Sequence, residues 1–129
     1  MKKYIVHIED SAQSRPRPHE KKVASEIANI IKSNIIFMRR GASKTPDLYV
    51  VKFNTLWELK SPTGGSKHTV QNNLRNADDQ SEKVILDLSR AKLTDQQGIS
   101  RAKEFLRTEK TSIEKLKIYT KSGKLIDIK

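Results

Sequence analysis

The chain has 129 residues, with 26 Lys and Arg against 15 Asp and Glu, a formal net charge of +11 at pH 7. That length reads as a single domain, 1–129, whole or cut from a longer protein, and the charge gathers polyanions, so nucleic acid is the expected partner ahead of an anionic membrane surface. There is no cysteine, which excludes a disulfide framework, a thiol nucleophile and a cysteine zinc site, and leaves any metal to oxygen or histidine ligands.

Lys3 to Ile8 predicts a first strand, since its apolar run is too short and too soon interrupted for a signal peptide. A polar, proline-bearing loop from Glu9 to Pro18 carries Arg15 and Arg17, and Pro18 suits the first turn of a helix. From His19 to about Ser33, Val23, Ile27, Ile30 and Ile31 recur at helical spacing and predict one buried stripe. Glu20 stands three before Val23 and seven before Ile27, so it extends that stripe toward the helix N-terminus, whereas Glu26 falls on its outer flank.

Ile35 to Met38 is a short strand, Arg39 to Pro46 a basic loop, and Asp47 to Phe53 a strand that turns at Asn54 and Thr55 into Leu56 to Lys60. On the returning strand Glu58 and Lys60 share a face, while Trp57 and Leu59 point into the opposite layer. The loop Ser61-Pro62-Thr63-Gly64-Gly65-Ser66 precedes a helix from about His68 to Gln80, with Val70, Leu74 and Ala77 inward. Lys83 to Leu88 is the most apolar run and predicts a central strand buried on both faces. Thr94 caps a further helix, with Gln97 at the capping-box position, running to roughly Arg107, and Lys115 to Thr120 with Leu125 to Ile128 closes the chain as a hairpin. The order describes an α/β (α+β) domain, a mixed central sheet flanked by helices.

The interval between Asp47 and Glu58 fits a short hairpin that sets one carboxylate beside the other, with Lys60 on the same face. Cleaving a phosphodiester near neutral pH requires an activated water and neutralisation of developing charge, and a hard divalent cation on one or two carboxylates supplies both. Asp47 and Glu58 are the expected ligands, and Glu20 joins them directly or through water. Lys60 orients the attacking water and stabilises the phosphate. The structural alternative is an ordinary strand pair with a surface ion pair for these three, and a helix-dipole carboxylate for Glu20.

Pro46-Asp47 with Glu58-Leu59-Lys60 resembles the PD-(D/E)XK nuclease superfamily. Trp57 to Gly64, then Gln71-Asn72-Asn73-Leu74 with Ala77 and Gln80, then Val84 to Leu88, is similar to the C-terminal tRNase domain of CdiA-type contact-dependent growth inhibition toxins, a resemblance covering about Glu20 to Arg90. It implies a restriction-endonuclease-like core and metal-dependent cleavage of tRNA. It also implies delivery from a secreted or cell-surface protein into a target cell's cytoplasm, and a cognate immunity protein. The catalytic set it carries over is Glu20, Asp47, Glu58 and Lys60, with Asp47, Glu58 and Glu20 around a divalent ion (Mg, Mn or Zn) and no small-molecule cofactor.

Ser61, Thr63, Lys67, His68, Gln71, Arg75 and Gln80 are the expected substrate contacts, the loop cradling a phosphate ahead of the helix and Gln80 lying nearest the site. Surface solvation explains the same residues, and the loop lacks the Gly-Lys-Ser/Thr ending of a nucleotide-hydrolysing loop. Arg15, Arg17, Lys21, Lys22, Arg39, Arg40, Lys44 and Lys67 form a possible phosphate-binding rim. With aromatic residues at 5%, recognition rests on backbone shape and charge, and Trp57 reads as core. Three alternatives stay open: a DNA endonuclease of the same superfamily, a non-catalytic nucleic-acid-binding module of a phage or mobile-element protein, and a metal-free ribonuclease using His68 and Lys60.

Overall fold

The computed structural model describes residues 4–8, 16–38 and 46–129. Seven strands form one mixed sheet in sequence order: β1 (Val6–Ile8), β2 (Ile35–Phe37), β3 (Leu48–Val50), β4 (Thr55–Lys60), β5 (Lys83–Asp87), β6 (Lys115–Tyr119) and β7 (Leu125–Asp127). Helix α1 (Pro18–Ile31) joins β1 to its parallel neighbour β2, while α2 (Thr69–Asp78) and α3 (Asp95–Thr108) join the parallel strands β4, β5 and β6. The β2-β3-β4 run is antiparallel, as is the β6-β7 hairpin. This is the mixed α+β architecture expected, with β5 buried along both faces as its apolar run requires.

The two faces of β5 define two cores. Val84 and Leu86 pack under α2 and α3 with Val70, Leu74, Ala102 and Phe105. Ile85 packs on the other side with Val23 and Ile27 of α1 and with Trp57 and Leu59 of β4. Period-two alternation therefore gives α1 the Trp57 and Leu59 side of β4 and leaves Glu58 and Lys60 on the α2 side. Trp57 is core, as its spacing predicts, and its Nε1 donates to Thr55 Oγ1 at 2.7 Å.

Helix starts follow their local chemistry. Thr94 Oγ1 accepts from Gln97 N at 3.1 Å and Gln97 Oε1 accepts from Thr94 N at 3.0 Å, so the expected capping box forms. Gly98 lies inside that helix because a Cβ there would stand 2.3 Å from Leu88 Cδ1, so the helix seats directly on the segment after β5.

Two expectations need correction. The α1 stripe is narrower than predicted: Ile30 is 43% exposed and Ile31 only half-buried, and the helix buries Ala24 and Ala28 instead, small residues that let it approach the sheet. The strand expected over Asp47 to Phe53 stops at Val50, because 51–54 form the turn, with Asn54 at φ 52°. Val51 and Phe53 are consequently exposed.

Candidate active site at the fork between β3 and β4

Strand β4 changes partner halfway along its length. Thr55, Leu56 and Trp57 pair with Val50, Tyr49 and Leu48 of β3, whereas Glu58, Leu59 and Lys60 pair with Val84, Ile85 and Leu86 of β5. Continuing the antiparallel register one step past Leu48 and Trp57 sets Asp47 opposite Glu58, at the point where β3 leaves β4. The Asp47 carbonyl accepts from Met38 N at 2.8 Å, which holds its backbone on the β2 side. Its Oδ2 accepts from Leu59 N at 3.3 Å, so the side chain bridges the gap left in the ladder.

Glu58 is 2% exposed, and Lys60 Nζ stands 3.3 Å from its Oε2. Its Oε1 is buried with no hydrogen-bond partner among the described residues. Burial pushes the Glu58 carboxyl up from its usual range to about 8; the neighbouring Asp47 charge and a hydrogen bond between the two carboxyl groups push the same way, and Lys60 pulls against them. Near neutral pH the pair therefore shares a proton unless a cation replaces it. A buried oxygen with no donor, beside a second carboxylate, matches the donor set of a hard divalent ion that takes one or two carboxylates and keeps its waters.

Glu20 does not join this pair directly. Its Oε1 accepts from Arg17 N at 2.8 Å, closing the first turn of α1, and it sits 9% exposed on the helix that packs against the opposite side of β4. Among the described residues no group of three or more His, Asp or Glu side chains stands close enough to hold a metal.

A cleft of about 640 Å³ borders the fork, lined by Pro46, Tyr49, Asn54, Leu56 and Lys83 among others. Tyr49 and Leu56 are a register pair on the same face as Asp47 and Glu58.

The expected substrate residues divide. Ser61 Oγ, Gln71 Oε1 and Gln80 Oε1 are buried without a partner among the described residues, each a cost of about 1–3 kcal/mol that a bound water or ligand would remove. Thr63, Lys67 and His68 are exposed. Arg75 is committed elsewhere, its Nη2 lying 2.6 Å from Glu109 Oε1 at the end of α3.

Three amides at the end of the loop after β4 and the start of α2 are already used. Ser66 N donates to Thr69 Oγ1, His68 N to Ser66 Oγ and Thr69 N to Ser66 O, so these amides are spent inside the turn. Lys92 N donates to Gly64 O at 3.0 Å and Arg101 Nη1 to Ser66 O at 3.0 Å, fixing the loop from the α3 side. A Cβ on Gly65 would lie 2.4 Å from the Lys92 carbonyl oxygen, which is why glycine is required there. Of the basic rim, Arg17, Lys21, Lys22 and Lys67 are exposed, and Arg15, Arg39, Arg40 and Lys44 lie outside the described residues.

One polar cluster escaped the sequence reading. Tyr119 of β6 donates its hydroxyl to Glu26 Oε2 of α1, beside the fully buried Asp87 at the end of β5. Burial raises the Tyr119 hydroxyl far above its ordinary range, with the Glu26 hydrogen bond and the Glu26 and Asp87 charges adding to it. The signal available in the sequence was Asp87 itself, an acid inside the most apolar strand.

Comparison with known proteins gives two matches of different kinds. The family model described as "Contact-dependent growth inhibition CdiA C-terminal domain" matches residues 44–125. Among solved structures, the chain is similar to one titled "CdiA-CT/CdiI toxin and immunity complex from Burkholderia pseudomallei", with a TM-score of 0.69 and 13% sequence identity over 97% of this chain and 98% of that one. At that identity the likeness is one of fold. No curated protein sequence matches the chain.

Proposed function

The chain belongs to the contact-dependent growth inhibition CdiA C-terminal domain family, and from that premise we propose that it is a metal-dependent endoribonuclease that cleaves tRNA as a toxin effector. The observation that carries the chemistry is the fork: Asp47 opposite a buried Glu58 whose Oε1 has no donor among the described residues, with Lys60 Nζ at 3.3 Å from Oε2. The run α1-β2-β3-β4-α2-β5, with a carboxylate just before β3 and the Glu58 and Lys60 pair on β4, supports a PD-(D/E)XK-type core.

In this reading Asp47 and Glu58 hold a divalent ion, which when bound supplies Lewis acidity toward water and phosphate. Asp47 is fixed by the Leu59 amide and the Met38 amide, so its carboxylate is oriented before any ligand arrives. Glu58 would lose its proton on holding the ion, and Lys60 would compensate the charge that this uncovers. Lys60 also supplies an ammonium that would stabilise the extra negative charge of a five-coordinate phosphate. Ser61, Gln71 and Gln80 hold water or substrate through their unpartnered oxygens. Glu20 adds negative charge from the far side of the sheet rather than a direct bond.

The domain is carried to a neighbouring cell and held inactive in its producer by an immunity protein. The solved relative's title describes a toxin and immunity complex, which supports such a partner for this chain. The net charge of +11 favours both an RNA substrate and an acidic inhibitor.

The test is digestion of purified tRNA and of plasmid DNA by the full chain, with chelator and with Mg²⁺, Mn²⁺ or Zn²⁺ restored. Cleavage of tRNA alone, abolished by chelator and by Asp47→Ala, is the expected result. Cleavage of plasmid alone assigns the domain to DNA, chelator-resistant cleavage removes the metal, and intact substrates in every lane leave a binding module.

A further inference from the structure

We propose that a second cleft, at the carboxyl ends of β5 and β6, binds one nucleotide of the RNA substrate with its phosphate on Lys22 and Arg90 and a guanine base on Glu26; this rests on the RNA reading above. The cleft measures about 400 Å³ and is lined by His19, Lys22, Glu26, Arg90, Tyr119 and Thr120 among others. That volume falls in the range of about 300–1,000 Å³ typical of small-ligand sites.

The lining has two unlike parts. Lys22 and Arg90 are exposed and make no ion pair or hydrogen bond among the described residues, so both cations are available to a phosphate. Lys121 is not, since its Nζ donates to the Ala91 carbonyl and its backbone N to Asp95 Oδ1. The inner part is acidic: Glu26 is half-buried and held by the Tyr119 hydroxyl through Oε2. Asp87 behind it accepts from Ser89 N at 2.9 Å through Oδ1 and keeps a buried, unpartnered Oδ2.

Acceptors at the floor and cations at the rim suit a ligand that carries N–H donors at one end and phosphate at the other. A free phosphate satisfies only the rim. Among the bases, guanine presents two parallel donors, N1–H and N2–H, to a carboxylate; adenine, cytosine and uracil present a single donor site each. Tyr119 fixes the rotamer of Glu26, so the acceptor is oriented in advance. The cleft opens on the α1 side of the sheet and Lys60 on the α2 side, so a nucleotide seated there is reached from the one being cut across the carboxyl ends of β4 and β5.

The experiment is an NMR titration of the full chain with GMP, AMP, CMP, UMP and inorganic phosphate, which needs no cleavage and so fails or succeeds independently of the nuclease reading. GMP is expected to shift the Glu26, Arg90 and Tyr119 resonances saturably, at least about fivefold tighter than the other three nucleotides. Glu26→Gln should erase that preference while keeping phosphate-dependent binding, and the exposed Arg90→Glu should weaken all four nucleotides together. Equal affinity for all four nucleotides and inorganic phosphate, or shifts confined to other surfaces, would overturn the proposal.

Discussion

Two buried glutamates, Glu20 and Glu58, occupy regions that solve the same problem differently. Glu20 closes the first turn of α1, where its Oε1 accepts from a backbone amide at 2.8 Å. Glu58 lies at a gap in a β ladder, faces a second carboxylate, and keeps one oxygen with no donor among the described residues. Burial is common to both, and what separates them is that Glu20 Oε1 accepts a backbone amide while Glu58 Oε1 finds no donor among the described residues.

The largest effect expected from this contrast is on cleavage. Asp47→Asn, Glu58→Gln and Lys60→Ala should each lower the rate of tRNA hydrolysis by about a hundredfold or more, since each removes charge aimed at the reacting phosphate or its metal. Glu20→Gln keeps an acceptor for the Arg17 amide and should cost distinctly less; a loss equal to that of Asp47→Asn would place Glu20 among the direct ligands and erase the contrast. Single-turnover rates at saturating enzyme measure both.

Next in size is a packing effect. Gly65→Ala drives a Cβ against the Lys92 carbonyl, and should destabilise the fold by about 1–3 kcal/mol in denaturant unfolding. It should also loosen the loop that follows Lys60. Wild-type stability and activity in this variant would show that the α3 clamp on the loop is dispensable.

The pH dependence of stability reports on Glu58. Glu58 has a folded-state pKa of about 8 against an ordinary value of 4.5, so between those values the native state holds a proton that the unfolded chain releases. Stability should therefore fall as pH rises from about 4.5 to 8 and level off above, because unfolding releases protons throughout that window. Glu58→Gln should flatten the profile and melt higher than wild type at pH 8, and added Mn²⁺ should restore the wild type at that pH. Melting curves at pH 5, 6.5 and 8 report all three.

The smallest expected change is at Arg75. Its pair with Glu109 is largely exposed, so Arg75→Ala should cost less than about 1 kcal/mol and leave tRNA cleavage near the wild-type rate. A large rise in KM would return Arg75 to the substrate surface.

Much of this arrangement was legible in the amino-acid order. The alternation Trp57-Glu58-Leu59-Lys60 gave the facing of the site, the run Lys83 to Leu88 gave the central strand, and Thr94 with Gln97 gave the start of α3. Less legible was the exchange of partners by β4, because pairing with β3 and then β5 is decided by strands far apart in the chain. The same reason hid the meeting of Glu26 and Tyr119 and kept Glu20 on a separate side of the sheet: helical spacing assigns a face, and only tertiary packing says which side of the sheet that face covers. Between Ser66 and Thr69, serine and threonine side chains take up backbone amides that the amino-acid order offers equally to a ligand.

The most direct measurement is calorimetric titration of the full chain with Mn²⁺ at pH 7 in two buffers of different ionisation enthalpy, alongside Asp47→Asn and Glu58→Gln. A single ion is expected to bind the wild type and expel close to one proton, the proton held by the carboxyl pair; Glu58→Gln should bind weakly without proton release and Asp47→Asn should bind weakly as well. Binding of equal strength and equal proton count in all three proteins would contradict the assignment of Asp47 and Glu58 as the metal site.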